Sequence, residues 1–187
     1  MGCDIHTIVE IKKENTWVGL EECPKEFDER NYSMFAFLAN VRNRFNTKGF
    51  EAKGLPDDIS EKSRQMFDDW GEDIHSKSYI TLKEFEEIDK SDYYSQKVRV
   101  IGEFFKAFKE FGGVLPEQME IEELKPTTFI DVIEMSFCPD VVVKWQSSER
   151  EQEKTPLYKG IEALKEIATK NNISDFDNIR IVFGFDN

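Results

Sequence analysis

The chain has 187 residues, of which 39% are hydrophobic and 16 are phenylalanine, and it carries a net charge of −13 with a pI near 4.7. That length and aromatic content support one packed core and exclude a disordered chain. The acidic field repels nucleic-acid phosphates over most of the surface, which excludes generic DNA or RNA binding.

Three cysteines, an odd count without metal-type spacing, imply a reducing cytoplasm and no disulfide framework. No apolar run reaches membrane-spanning length, and polar residues from Asp4 onward leave no signal peptide. The expected location is therefore the cytoplasm, that of the host cell if the protein is phage-encoded, with no membrane partner.

In chain order, "CDIHTIVEIK" alternates: Cys3, Ile5, Thr7, Val9 and Ile11 share one face, and Asp4, His6, Ile8 and Glu10 the other. "ENT" turns the chain into "WVGL", the second strand of a hairpin that Cys23-Pro24 ends. "RNYSMFAFLANVRNRF" predicts a helix with Met34, Leu38, Val41 and Phe45 as its apolar stripe. "PDDISEKSRQMFDDW" predicts a short helix with an acidic first turn, stopped by Gly71. "HSKSY" reads as a loop ahead of a helix that starts at Thr81, where Thr81 and Glu84 have capping-box spacing.

"SQKVRVIGEFFKAFKEFGG" reads as a third amphipathic stretch closed by Gly112-Gly113, with Phe104, Phe105, Phe108 and Phe111 at core spacing. "EQMEIEELKPTTFIDVIEM" fits strand or helix, "DVVVKW" a short strand and "SSEREQEK" a solvated linker. Thr155-Pro156 caps a helix with Leu157, Ile161, Leu164 and Ala168 as its buried stripe, and "IRIVFGF" is the last strand. The fold class is α+β: a small antiparallel sheet, made of the N-terminal hairpin and the C-terminal strand, packed with several helices. One domain spans residues 1–187, with room for a helical insertion around 84–150.

Only two histidines occur, and each closes an Asp-Ile-His triplet, Asp4–His6 and Asp73–His75. Asp and His two apart on a strand project to the same side. Carboxylate plus imidazole suits a divalent metal (Zn, Mn, Fe or Mg) held by Asp4, His6, Asp73 and His75, or an acid–base pair in which the Asp orients the ring. The plainer reading gives each histidine a local structural bond. Ser76, beside His75, is a conceivable nucleophile, although adjacent Ser and His seldom reach each other and no G-x-S-x-G elbow is present. Lys77, Ser78 and Tyr79 complete a segment whose hydroxyls could equally serve as helix caps.

From Arg30 to Phe50 there is no Asp or Glu, yet Arg30, Arg42, Arg44 and Lys48 occur with Tyr32 and several asparagines. Guanidinium forks match phosphate oxygens, and Tyr32 can stack on a base. The alternative pairs these arginines with Asp28, Glu29 and Glu51 as structural staples.

"MGCDIH", "RNYSMFAFLANVR", "GLPDDIS", "W-x-x-D-x-HS-x-S" and the terminal "F-x-FDN" together resemble a family of small proteins of phage and prophage genomes that carries no established activity. The likeness covers roughly the first eighty residues and the last nine. The family pattern often reads His-Ser-His-Ser, where this chain has Lys77. The resemblance implies a phage accessory protein and groups Asp4, His6, Arg30, Tyr32, Arg42, Asp73, His75, Ser76 and Asp186. Pairing of the first and last strands would bring Asp186 to the Asp4/His6 end and add it to the metal ligands.

Two readings follow for a counter-defence protein. In the first, it is a phosphodiesterase or nuclease-type hydrolase acting on a nucleotide signal or RNA. His6, Asp73, His75 and Ser76 carry the chemistry, and Arg30, Tyr32, Arg42, Arg44 and Lys77 hold the substrate. In the second, it is a non-catalytic acidic inhibitor of a host defence nuclease (anti-CRISPR or anti-restriction), or a protein that sequesters a nucleotide. The first requires both imidazoles around a common cleft.

Overall fold

A computed structural model describes residues 2–100, 129–134, 141–145 and 147–186. The chain divides into two compact units, Met1–Lys90 with Glu153–Asn187, and Ser91–Gln152. Among the described residues no helix is long and apolar enough to cross a membrane.

The first unit is built on a four-stranded antiparallel sheet, which makes the fold α+β. Strands β1 (Ile5–Lys13), β2 (Thr16–Gly19), β3 (His75–Thr81) and β7 (Ile179–Phe185) lie in the order β2-β1-β7-β3. The hairpin turns on Glu14 and Asn15, both at positive φ (48° and 68°), a pairing that matches the twist of the flanking strands. All seven residues of β7 are buried, as a central strand covered on both faces requires.

One face carries Ile5, Thr7, Val9 and Ile11 of β1 opposite Phe185, Phe183, Ile181 and Ile179 of β7. Helix α1 (Tyr32–Ala39) meets this face through Phe35, 5.0 Å from the Phe185 ring. On the other face Val182 packs with Phe67 of α2 (Glu61–Trp70) and with Ile74.

Helix α1 is shorter than its sequence suggests, and its stripe is not the one expected. Asn31 caps it, accepting from the Ser33 and Met34 amides, and Asn40 ends it at φ 58°. The Asn43 amide nitrogen then donates to the Asn40 side chain and to the Thr47 carbonyl, which holds a loop in place of further helix. Met34 to Ala39 are all buried, whereas Phe45 lies outside the helix and is exposed.

Helix α2 starts at the Ser60 cap rather than at Pro56, and Gly71 ends it at φ 55°. "HSKSY" is not a loop. It is most of β3, an edge strand with a bulge between His75 and Ser78 where Ser76 takes φ 48°. Helix α3 (Leu82–Glu87) follows with the expected reciprocal Thr81–Glu84 capping box.

The second unit holds α4 (Ser91–Tyr94), β4 (Gln96–Val100), β5 (Phe129–Glu134), β6 (Val141–Trp145) and the helical turn α5 (Glu149–Gln152). Its strands form an antiparallel sheet in the order β4-β6-β5. The expected helix over "SQKVRV" is thus a strand over Gln96–Val100, where "KVRV" also has period two. The phenylalanines at 104, 105, 108 and 111 lie outside the described residues. The expected linker at "SSEREQEK" contains α5. Back in the first unit, α6 (Pro156–Lys170) has the Thr155 cap and the buried stripe read from its sequence.

Candidate functional site at one end of the sheet

The start of β1, the end of β7 and the start of β3 meet at one end of the first unit's sheet. The β1–β7 ladder continues one step past both strands. The Asp186 amide donates to the Asp4 carbonyl at 3.1 Å, and the Asp4 amide donates to Asp186 Oδ1 at 2.8 Å. The other carboxylate oxygen of Asp186 is 3.4 Å from His6 Nε2. Strand pairing thus delivers Asp186 to the Asp4/His6 end. The His6 ring stacks on Trp70, the last residue of α2, with centroids 4.0 Å apart and a 33° tilt. Among the described residues His6 Nδ1 has no hydrogen-bond partner, and the side chain is 23% exposed.

The Asp4 side chain makes its hydrogen bonds to Arg30, not to His6. Its two oxygens accept from Arg30 Nε at 2.7 Å and Nη2 at 2.6 Å in a bidentate fork. The hydrogen bond to Arg30 holds the Asp4 carboxyl below the usual range, and the same contact raises the guanidinium. Arg30 lies against Gly2 so closely that an added Cβ would sit 2.8 Å from a guanidinium nitrogen. Tyr32, 40% exposed, is within electrostatic reach of Arg30 and packs edge-on against Phe35.

Arg42, at φ 55°, reaches the buried Cys3 thiol; burial raises that thiol's pKa, and Arg42 pulls the other way. Arg44 is exposed, with its amide bonded to the Arg42 carbonyl. Of the anticipated acid partners, Glu51 accepts from the Asn40 side chain, a residue of the island itself.

His75 sits apart from His6. It pairs with Phe185 of β7, whereas His6 pairs with Gly184, so strand alternation sends the two rings to opposite faces. His75 lies 6.1 Å from the Phe185 ring, and its Nδ1 is 2.9 Å from Ser76 Oγ. Adjacent Ser and His do reach each other here, because the bulge at Ser76 swings the hydroxyl back. His75 Nε2 is buried with no partner among the described residues, so no third group orients the ring. Asp73 is exposed on the turn Gly71–Asp73 and makes no hydrogen bond to His75. Lys77 directs its ammonium 5.3 Å from the Phe67 ring.

Among the described residues no three His, Cys, Asp or Glu side chains converge to hold a metal ion. Asp4 is committed to Arg30, Asp186 divides its oxygens between the Asp4 amide and His6, Asp73 stands alone, and His75 faces the other side. Among the described residues, Asp4, His6, Asp73, His75 and Asp186 do not gather into one group of three or more donors.

What forms instead is a line of contacts, Arg30–Asp4–Asp186–His6–Trp70, with the half-exposed Trp70 ring at one end and Tyr32 two residues along the chain from Arg30 at the other. Such a line can offer a guanidinium, a carboxylate-backed imidazole and stacking faces to a ligand. Trp70 is a site residue that the sequence reading did not single out, although it stands in the "W-x-x-D-x-HS-x-S" motif. Comparison with protein-family models, with curated proteins and with solved structures gives no match.

Proposed function

We propose that the protein is a phage accessory protein of the counter-defence type that sequesters a small phosphate-bearing ligand at this end of the sheet, without chemistry. The observation that carries the reading is the contact line from Arg30 to Trp70, which joins an exposed guanidinium to an exposed aromatic, with Tyr32 exposed nearby in sequence. Arg forks suit phosphate oxygens, and aromatic faces suit rings. Binding is favoured over hydrolysis because the two histidines lie on opposite faces and Asp73 supports neither.

A second reading has one specific support. Asp186 can accept a hydrogen bond from a protonated His6 Nε2, which leaves the Nδ1 lone pair open as a general base. Equilibrium dialysis with pyrophosphate, ADP and a cyclic dinucleotide separates the two. Sequestration predicts binding that weakens tenfold or more in Arg30→Gln and a ligand recovered intact. Turnover lost in His6→Ala supports the metal-independent hydrolase. Association with a host nuclease complex that survives Arg30→Gln replaces both with the acidic inhibitor that the net charge of −13 would suit.

A further inference from the structure

Beside the His6–Trp70 stack, between α2 and β1, runs an open groove of about 470 Å³. Its apolar floor is Ile8, Met66 and Trp70, and its rim carries Glu61, Lys62 and Asp69. Ile8 shares the face of His6, two residues along β1, and Trp70 belongs to both the stack and the groove. The groove is therefore continuous with the contact line.

Its electrostatics fix what can enter. The Lys62 ammonium is engaged by the Leu20 carbonyl at 2.7 Å and by Glu21 at 2.7 Å. Glu61 and Asp69 leave the rim net negative. A phosphate is repelled here, whereas a flat ring with an exocyclic amino group finds an indole, a thioether and carboxylate acceptors.

From the same reading of the strand end as a phosphate-binding surface, we propose that this groove is the base subsite, and that the ligand is a purine nucleotide bearing at least two phosphates. The base lies over Met66 and Trp70, the sugar passes His6, and the terminal phosphate reaches Arg30. Ile8 lies four residues along the chain from Asp4, about 13 Å at strand rise. That span exceeds a nucleoside monophosphate and suits a base, a ribose and two phosphates. The terminal phosphate displaces the Asp4 carboxylate from the Arg30 fork, an exchange favoured by a charge nearer −2 than −1 and by the half-exposed setting of the ion pair it replaces.

Isothermal titration of the full chain with ADP, pyrophosphate and adenosine tests this. ADP is expected to bind at least tenfold more tightly than pyrophosphate. Met66→Glu should abolish that advantage while leaving pyrophosphate affinity unchanged, and Arg30→Gln should weaken both. Should Met66→Glu lower the unfolding midpoint, Ile8→Thr probes the same floor with a strand-compatible side chain. Equal affinities for ADP and pyrophosphate, or an ADP advantage that survives both floor variants, overturn the base subsite yet leave Arg30-dependent phosphate binding standing. Absence of Arg30-dependent binding by either ligand overturns the functional reading as well.

Discussion

Glu10 of β1 and Arg180 of β7 stand directly opposite in the register and form an ion pair of 2.7 Å sealed inside the protein. Every charge-bearing atom is answered. Glu10 Oε1 accepts from the Ser60 amide at 2.7 Å and the Ser63 hydroxyl at 2.6 Å. Arg180 donates to the Asp58 side chain and carbonyl, and its guanidinium lies 3.8 Å from the Trp17 ring centre. Asp58 also accepts from the Trp17 indole at 2.9 Å. The segment "GLPDDIS" thus folds as a clamp over a buried charge.

Breaking such a pair from one side leaves the other charge buried alone, so Glu10→Ala or Arg180→Ala should cost about 3–5 kcal/mol. The double variant Glu10→Leu/Arg180→Met should cost clearly less than the two single losses summed. Urea unfolding at neutral pH measures this; a loss under about 1 kcal/mol for either single variant would show that the pair does not hold the sheet.

Acid should weaken the fold through Asp58 and Asp4. Burial pushes Asp58 up, but the Arg180 contacts and the Trp17 indole outweigh it and hold the carboxyl below the usual carboxylate range. Asp4 is lowered by Arg30. A carboxyl depressed in the folded state adds stability above its unfolded pKa and loses it as pH falls through the folded value. Stability should therefore decline below about pH 4, and Asp58→Asn should flatten that decline. Thermal midpoints from about pH 6 to 2 test it; identical slopes for Asp58→Asn and wild type would remove Asp58 from the acid transition.

The described cysteines should be chemically quiet. Cys3 is fully buried and its thiol is raised by that burial; Cys23 is pushed up to about 12, chiefly by burial, with Asp28 and Glu26 adding to it. The thiolate is the reactive form, so iodoacetamide at about pH 8 should modify neither in the native state and both in denaturant. Native labelling of Cys3 at a free-thiol rate, read by peptide mapping, would mean that this end of the sheet opens.

Much of the first unit was legible because its signals are local. Alternation marked β1, Thr155-Pro156 marked the start of α6, and Thr81 with Glu84 marked α3. β3 was missed because its period is broken by the bulge at Ser76, which only pairing with β7 explains. The end of α1 was missed because Asn40 in the left-handed region outweighs an apolar pattern that continues to Phe45. At the site, the meeting of Asp186 with His6 followed from pairing the outer sequence strands. The separation of His6 from His75 could not be read, since it depends on a one-residue difference in register along β7. The clamp around Arg180 was illegible for a similar reason. Its members are spread from Glu10 to Arg180, and no spacing rule connects them.

The central claim is that ligand binds on the His6 side of the sheet, with no site shared by the two histidines. Because the chain holds only His6 and His75, its imidazole Hε1 proton signals can be assigned from His6→Gln and His75→Gln alone. Titrating pyrophosphate or ADP into the full chain should move the His6 signal in a saturable, Arg30-dependent way and leave His75 in place. Parallel saturation of both signals would contradict the account and restore a common two-histidine cleft.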